Sequence, residues 1–497
     1  MTRGRGHNWG ASAAIAALLA IPAGAAHADT LQQALTEAYT NNPTLTAARA
    51  QQRATDEGVP IAKAAGRPNV SVTGQYLNFV KQSSDSFISP DQAVNGQLNL
   101  SVPIYSGGAV RNSVHGAEER VLAGQDNLRA TESSIFSQVV AAYMDVLRNQ
   151  AIVGLQKNQV DVLSVNVQAS SDRFQIGDLT RTDVAQSQSR LAVAESDYRT
   201  AQANLIAARE TYTQLTGAAP TDLQPPPPLP GLPESVEDAL ATALESNPDL
   251  QAARKSAKAA GYDVRVAGAG RLPQVSVITG GTYNNYLGSL TSGAVGGAAL
   301  PQTSTAVQVG VQLSVPLFQG GLPAARERQA QARSSAALEQ VVATEREVVA
   351  QVRSAWSSWQ ASNAVITSSQ SAVDAASLSL EGVRAENSIG NRTVLDVLNA
   401  EQELVNARVQ LVTARRNAYV AAFTLLAAIG KAEARDLGLE GEGPLYDPMV
   451  NYRRVKGKWL DWSHDRDPTT QARDTAQIPP ATADIPATDE TKDKTGY

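Results

Sequence analysis

Residues 30–49, TLQQALTEAYTNNPTLTAAR, recur as 235–254, SVEDALATALESNPDLQAAR, at a shift of 205. A chain written twice folds into two copies of one unit, and the copies bury their apolar faces on one another. Past the first strand the shift becomes 213, because the second copy has the longer strand-to-strand loop, and SVPIYSGG (101–108) then matches SVPLFQGG (314–321). At that shift Asp183-Val184 matches Asp396-Val397, and Gly217 matches Gly430. The expected division is 29–218 for the first repeat and 234–430 for the second, each ordered as helix, two membrane strands and a long helical hairpin. Between them 219–233, APTDLQPPPPLPGLP, is too rich in proline for helix or central strand and reads as an extended linker.

Each copy then enters a helix of unusual length, over about 110–175 and about 323–388. At 1.5 Å per residue, roughly 65 residues make a rod of about 100 Å. Its apolar column is spaced by sevens, Val139, Val146, Val153, Val160, Val167 and Phe174, and repeats as Val352, Trp359, Ile366, Val373 and Leu380. Short turns at Ile176-Gly177 and Ile389-Gly390 reverse the chain into second helices with their own sevens, among them Leu191, Tyr198 and Leu205, then Leu404 and Leu411. A strict seven-residue period marks helices packed along their whole length.

The alternating stretches Val307–Leu317, VQVGVQLSVPL, and Val94–Ile104, VNGQLNLSVPI, are apolar on one face and hydrophilic on the other, each closed by a proline. Eleven residues at ~3.3 Å rise reach about 36 Å, enough to cross a hydrocarbon layer at a tilt of ~40°. Val307, Val309, Val311, Leu313, Leu98 and Leu100 are the expected lipid face. Tyr105 and Phe318, just past the prolines, are the expected interfacial aromatics. Alternation alone favours a half-buried sheet of a soluble domain. Rods of ~100 Å have no place in a compact sandwich, however, and 1–28 reads as an export signal, with Arg3 and Arg5, an apolar Ala11–Ala25 and the cleavage site Ala26-His27-Ala28. Four strands per chain leave open edges in lipid, where each unsatisfied backbone group costs several kcal/mol, so the chain has to associate. Two copies supply eight strands and a filled interior; three supply twelve and an open lumen.

Cysteine is absent, which excludes disulfides, thiol nucleophiles and a lipidated cysteine, and the net charge of −6 argues against nucleic acid. His7 and His27 fall in the leader, His115 and His464 are isolated, and no metal-ligand, P-loop or nucleophile-elbow spacing occurs, so no catalytic residue, metal or cofactor is expected. The other non-enzymatic reading is a periplasmic coiled-coil adaptor or scaffold without a pore. Adaptors generally insert lipoyl-like and barrel modules between their hairpins, and none is found in this sequence. Residues 431–497 stand apart, and after 467 their Pro, Thr, Asp and Lys content predicts disorder.

The tandem halves, the paired Ser-Val-Pro strand ends with Gly-Gly, and the IG…TDV and IG…LDV turns together resemble the TolC-like outer membrane efflux proteins, over about 30–430. The missing cysteine is similar to the non-lipidated branch. The resemblance implies a mixed membrane β-barrel and long α-helical barrel: a homotrimer with a twelve-stranded β-barrel in outer membrane lipid, continuous with a twelve-helix tunnel in the periplasm. It further implies an exit duct for tripartite efflux or type I secretion, joined through a periplasmic adaptor to an inner-membrane pump or ABC exporter. Its gate lies at the helix turns farthest from the membrane. Arg392 matches the family's gate arginine, Asp183 its partner in a neighbouring subunit, and Asp396 a carboxylate ring. Asn399 stands where a second ring aspartate is expected, and Asn387 replaces a tyrosine of the closed-state lock. Thr180/Asp183 and Thr393/Asp396 also have the spacing of helix capping boxes, a reading that needs no gate.

Overall fold

The computed structural model describes residues 29–82, 88–292, 300–442 and 444–485; the leader expected at 1–28 lies outside them. The first copy runs α1 (Leu31–Asn41), α2 (Pro43–Asp56), α3 (Gly58–Ala64), β1 (Asn69–Asn78), β2 (Ile88–Pro90), β3 (Gln92–Ser106), α4 (Ala109–Gln175) and α5 (Arg181–Thr216). The second runs α6 (Val236–Ser246), α7 (Pro248–Ala269), β4 (Gln274–Asn285), β5 (Leu290–Ser292), β6 (Thr303–Ser314), α8 (Leu322–Ser388) and α9 (Val394–Ala428), followed by α10 (Pro448–Val455). The rods α4 and α8 have 67 residues each, close to the expected spans. None of the described helices is long and apolar enough to cross a membrane.

One break was not expected. In the first copy the helix leading to the sheet stops at Glu57 and restarts as α3, whereas α7 is continuous. Pro60 explains it: its ring excludes the carbonyl four residues back, and the matching residue in the second copy is Arg265.

One asparagine ties each copy together. The Asn42 carbonyl oxygen accepts from Thr44 and Leu45 N–H, capping α2, while its Nδ2 donates to the Leu215 carbonyl at the end of α5 (2.9 Å). Asn247 repeats this, capping α7 through Leu250 N–H and donating to Ala428 O of α9 at 3.0 Å. Both are 3% exposed. Replacing Asn247 by alanine removes a cap worth about 1 kcal/mol and strands a buried carbonyl at a further ~1–3 kcal/mol. We expect a thermal-unfolding loss of about 2–4 kcal/mol, roughly additive with Asn42→Ala; a loss confined to the cap's share, with no loss in Asn247→Asp, which keeps the cap acceptor and lacks the Nδ2 donor, removes the clasp to Ala428.

Packing explains why the sevens are visible and yet only partly buried. Val139, Val146 and Val153 are at most 1% exposed, inside a cluster with Tyr143, Tyr212, Leu205 and Phe423, where α1 and α6 wrap the hairpins. Toward the turns the same column ends with Phe174 at 44%. The hairpins α4–α5 and α8–α9 pack side by side, and the upper wall is ordered α2/α3, α4, α7, α8. Twenty residues of α4 are buried but five of α8, because α8 is the open end of that wall.

The sheet has order β1-β3-β4-β6, all antiparallel, so β1 and β6 are its free edges. The repeat dictates its register. Moving the pair Asn69↔Ser101 by 205 and 213 gives Gln274↔Ser314, the pair observed. Two strand expectations are corrected. Pro103 does not stop β3, which continues to Ser106 through a bulge between Pro103 and Tyr105, opposite β4. In contrast β6 ends at Ser314, before Pro316, because β4 ends at Gln274 and no strand lies on its other side. A further ribbon, β2–β5, joins the loops of the two copies.

The C-terminal segment follows the tunnel. Asn451 Nδ2 on α10 donates to Asp56 of α2 at 2.7 Å, and Tyr446 N–H to the Tyr39 hydroxyl at 2.8 Å. Residues 468–485, where the composition predicted disorder, lie instead along α5: Arg209 donates to the carbonyls of Thr482 (2.5 Å) and Asp484 (2.7 Å), and Ile485 packs on the main cluster. Apart from a turn in which Ile478 N–H donates to the Thr475 carbonyl (3.0 Å) and Ala476 N–H to the Asp474 carboxylate (2.9 Å), this extended chain is held from outside, by a buried guanidinium. Residues 486–497 lie outside the described residues.

Candidate pore wall and entrance

The sheet is the first part of the site. Val307, Val309, Val311 and Leu313 are 63–78% exposed, Leu98 is 48% exposed and Leu100 half-buried. Period-2 geometry puts these on one face, with Gln97, Asn99, Gln308 and Gln312 on the other. Among the described residues no helix covers the apolar face, and such an exposed row is stable against lipid rather than water. Tyr105 and Phe318 lie at the helix end of the sheet, 50% and 89% exposed.

The second part lies at the opposite ends of the rods. In each turn a threonine caps the returning helix and an aspartate three residues on reaches back. The Asp183 carboxylate accepts from Thr180 N–H (3.0 Å) and hydroxyl (2.8 Å), and Asp396 accepts at the same distances from Thr393. The capping-box reading therefore holds in both turns. Hydrogen bonds from Thr180 and Thr393, side chain first and then backbone, hold both carboxyls below the usual carboxylate range, so both are charged at neutral pH.

Arg392 is bound within its own chain: its Nε donates to Glu386 at 2.7 Å, with both side chains about half exposed. The first turn carries the same pin with the signs exchanged, Arg173 to Asp178 at 2.7 Å. At the 213 shift Arg173 matches Glu386, whereas Asp178 matches Asn391 and Arg392 matches Leu179, so the two pins share one position and differ at the other. Asn387 donates to the Arg392 carbonyl at 2.8 Å, bracing the turn, and Asn399 accepts from Arg190 of the other hairpin at 2.7 Å.

A deeper contact escaped the sequence reading. Glu401 on α9 is 3% exposed and is bonded by Arg384 of α8 (2.9 Å) and Asn166 of α4 (3.1 Å). A buried carboxylate left without such partners is costly, so this trio fastens one hairpin to the other. Its residues lie on three helices at no shared spacing, which leaves no local signal. Below it Leu163, Ala194 and Leu398 form a small apolar knot. Among the described residues no group of three or more His, Cys, Asp or Glu is gathered to hold a metal ion.

A family profile described as "Outer membrane efflux protein" matches residues 34–218 and 239–431. The chain is 34% identical over 436 residues to the outer membrane efflux protein BepC of Brucella suis biovar 1 (strain 1330), covering 88% of this chain and 92% of that protein. It is 28% identical over 422 residues to the outer membrane protein TolC of Escherichia coli (strain K12), covering 82% and 84%. Among solved structures, VceC of Vibrio cholerae superposes with a TM-score of 0.68 at 23% identity, over 80% of this chain and 96% of that one. The Campylobacter jejuni CmeC channel superposes at 0.71 and 17% identity, over 86% and 89%.

Proposed function

The chain belongs to the outer membrane efflux protein family, and from that premise we propose that three copies close one duct whose periplasmic entrance is held shut at the turns just described. As a member of a family of transport channels, it is an outer membrane efflux and secretion channel with its helices in the periplasm. One observation carries the trimer reading. The free strands β1 and β6 and the open helix α8 stand at the ends of the two walls, so one neighbour satisfies both. Four strands from each of three copies make twelve, the smallest of the counts above with an open lumen. A periplasmic adaptor and an inner-membrane pump or ABC exporter complete the assembly.

At the entrance Arg392 is the movable element. An exposed ion pair is worth at most about 1 kcal/mol, so the guanidinium exchanges readily between its own Glu386 and Asp183 of a neighbour. Asp396, fixed by its cap and permanently charged, repeats around the axis and attracts multivalent cations while disfavouring anions. Asn399 is engaged by Arg190 and adds no charge there.

Planar-bilayer recording tests this reading. Arg392→Ser should raise the closed-state conductance several-fold. Asp396→Asn, which keeps the shape and removes the charge, should weaken block by a trivalent cation by about tenfold. Unchanged conductance in the first variant removes Arg392 from the gate, and unchanged block in the second removes Asp396 from the lumen.

A further inference from the structure

Just below the sheet the chain shows its greasiest water-facing loop outside the strands and turns. In 457–463, GKWLDWS, Trp459, Leu460 and Trp462 are 61%, 72% and 94% exposed. The loop is not loose. Asp465 accepts from both Arg454 nitrogens (2.7 Å each) and from Lys458 (3.0 Å), clipping its two ends together, and these two cations hold the Asp465 carboxyl well below the usual range.

Its height along the molecule is fixed by the last residues before β1. Arg67 donates to the Lys458 carbonyl at 2.7 Å and lies over the Trp459 ring at 5.6 Å, while Lys63 donates to the Lys456 carbonyl at 3.2 Å. Since β1 begins at Asn69, two residues after Arg67, the Trp459 indole stands near the periplasmic rim of the sheet, whose apolar face begins with the exposed Val70 and Val72. The surrounding charge is also distinctive. Residues 452–466 hold five cations, Arg453, Arg454, Lys456, Lys458 and Arg466, against two carboxylates, in a chain of net charge −6. Arg453 and Arg466 are exposed and have no hydrogen bond or ion pair among the described residues.

Resting on the outer-membrane placement above, we propose that the 457–463 loop is a membrane-surface anchor, seating Trp459, Leu460 and Trp462 in the periplasmic leaflet with the flanking arginines and lysines on anionic phospholipid headgroups. Indole rings favour the headgroup level, where one edge is apolar and the N–H is wet, and each nearby cation adds to the attraction toward an anionic surface. The clip pre-orders the loop, so little conformational freedom is lost when it docks. Exposed apolar side chains at the start of β1, so close in sequence to the Arg67 that holds the loop, together with the surplus of cations around it, make lipid its occupant rather than a water-filled lumen or a second protein.

The test uses the full-length protein in vesicles of phosphatidylcholine with phosphatidylglycerol, brominated near the headgroup. The expected result is a blue-shifted tryptophan component quenched by the bromolipid, inaccessible to aqueous iodide, and lost in Trp459→Phe/Trp462→Phe. Trp356 and Trp359, in edge contact on α8, supply a constant background. Replacing phosphatidylglycerol by phosphatidylcholine should lower the quenching. Iodide access with no bromolipid quenching, or protection appearing when an adaptor protein is added and not with lipid, overturns the anchor. Quenching indifferent to the anionic lipid overturns the headgroup assignment. A Val309→Trp probe in the doubly substituted background separates the two readings. If it is quenched by deeply brominated lipid while the loop is not, the anchor alone fails; if neither is quenched, the membrane placement fails with it.

Discussion

A chain carrying Tyr76→Cys and Val311→Cys is expected to run as a covalent trimer on non-reducing gels after mild oxidation, with dimer as its intermediate. The prediction comes from the register of the sheet. Offsets of 205 and 213 convert the β1–β3 ladder into the β4–β6 ladder, so the two copies are equivalent as strands. The junction between copies inside one chain, β3–β4, therefore also describes the junction between chains, β6 with a neighbour's β1. There Leu98 lies opposite Gly281, and the same offsets turn that pair into Val311 opposite Tyr76. Both side chains are exposed in the single chain, 70% and 58%. Each subunit gives one residue to each neighbour, so a head-to-tail contact closes into a ring. The chain has no cysteine of its own, so every cross-link reports on the introduced pair. Gln75→Cys with Val311→Cys is the control, because neighbouring residues of a strand point to opposite faces. Equal linking in both variants, or none in either while the channel still conducts, rules this register out. The same junction accounts for the early end of β6: residues 315–318 correspond to the paired 102–105 and await the neighbour's strand.

Gly430→Ala should destabilise the protein by about 3–4 kcal/mol, whereas the equivalent Gly217→Ala should cost about 1 kcal/mol. Both glycines follow the returning helix of a hairpin with positive φ, +76° and +77°, where an L side chain is strained. They differ in what a methyl group would meet. At Gly217 the nearest atom is Asn41 Cβ at 3.3 Å, a tight contact that a small shift relieves. At Gly430 it is the Ser246 carbonyl oxygen at 2.5 Å, with the Asn247 Cα at 3.0 Å, and that backbone is fixed by the asparagine clasp to Ala428. Thermal unfolding of the purified protein measures both; equal losses would show that strain alone decides and that the backbone yields.

The elements that the sequence disclosed are those that depend on periodicity or duplication. Val139 to Phe174 at sevens gave the rod, Val307 to Leu313 at twos gave the strand, and the Thr-x-x-Asp spacing gave both capping boxes. Features decided between distant segments were hidden. Nothing near Glu401 shows that Arg384 and Asn166 will meet it, and nothing near Arg209 foretells that it holds the carbonyls of Thr482 and Asp484. Proline was read too simply. Pro103 sits inside a strand because a bulge absorbs its missing N–H, while Pro60 divides a helix whose twin is continuous. At the entrance the resemblance directs Arg392 toward a neighbour, while the nearest carboxylate available to a single chain is Glu386.

The two turn pins have the same backbone shape and opposite polarity, Arg173 answering Asp178 in one and Glu386 answering Arg392 in the other. Arranged around an axis, they alternate in the order of their two charges like the teeth of a keyed collar. A docking protein that grips every tooth finds favourable charges in one phase, and like charges face one another when it slips by a single tooth. Duplication followed by a change of charge at 173/386 and of the partner's position gives a mouth of repeated parts a way to tell its odd positions from its even ones.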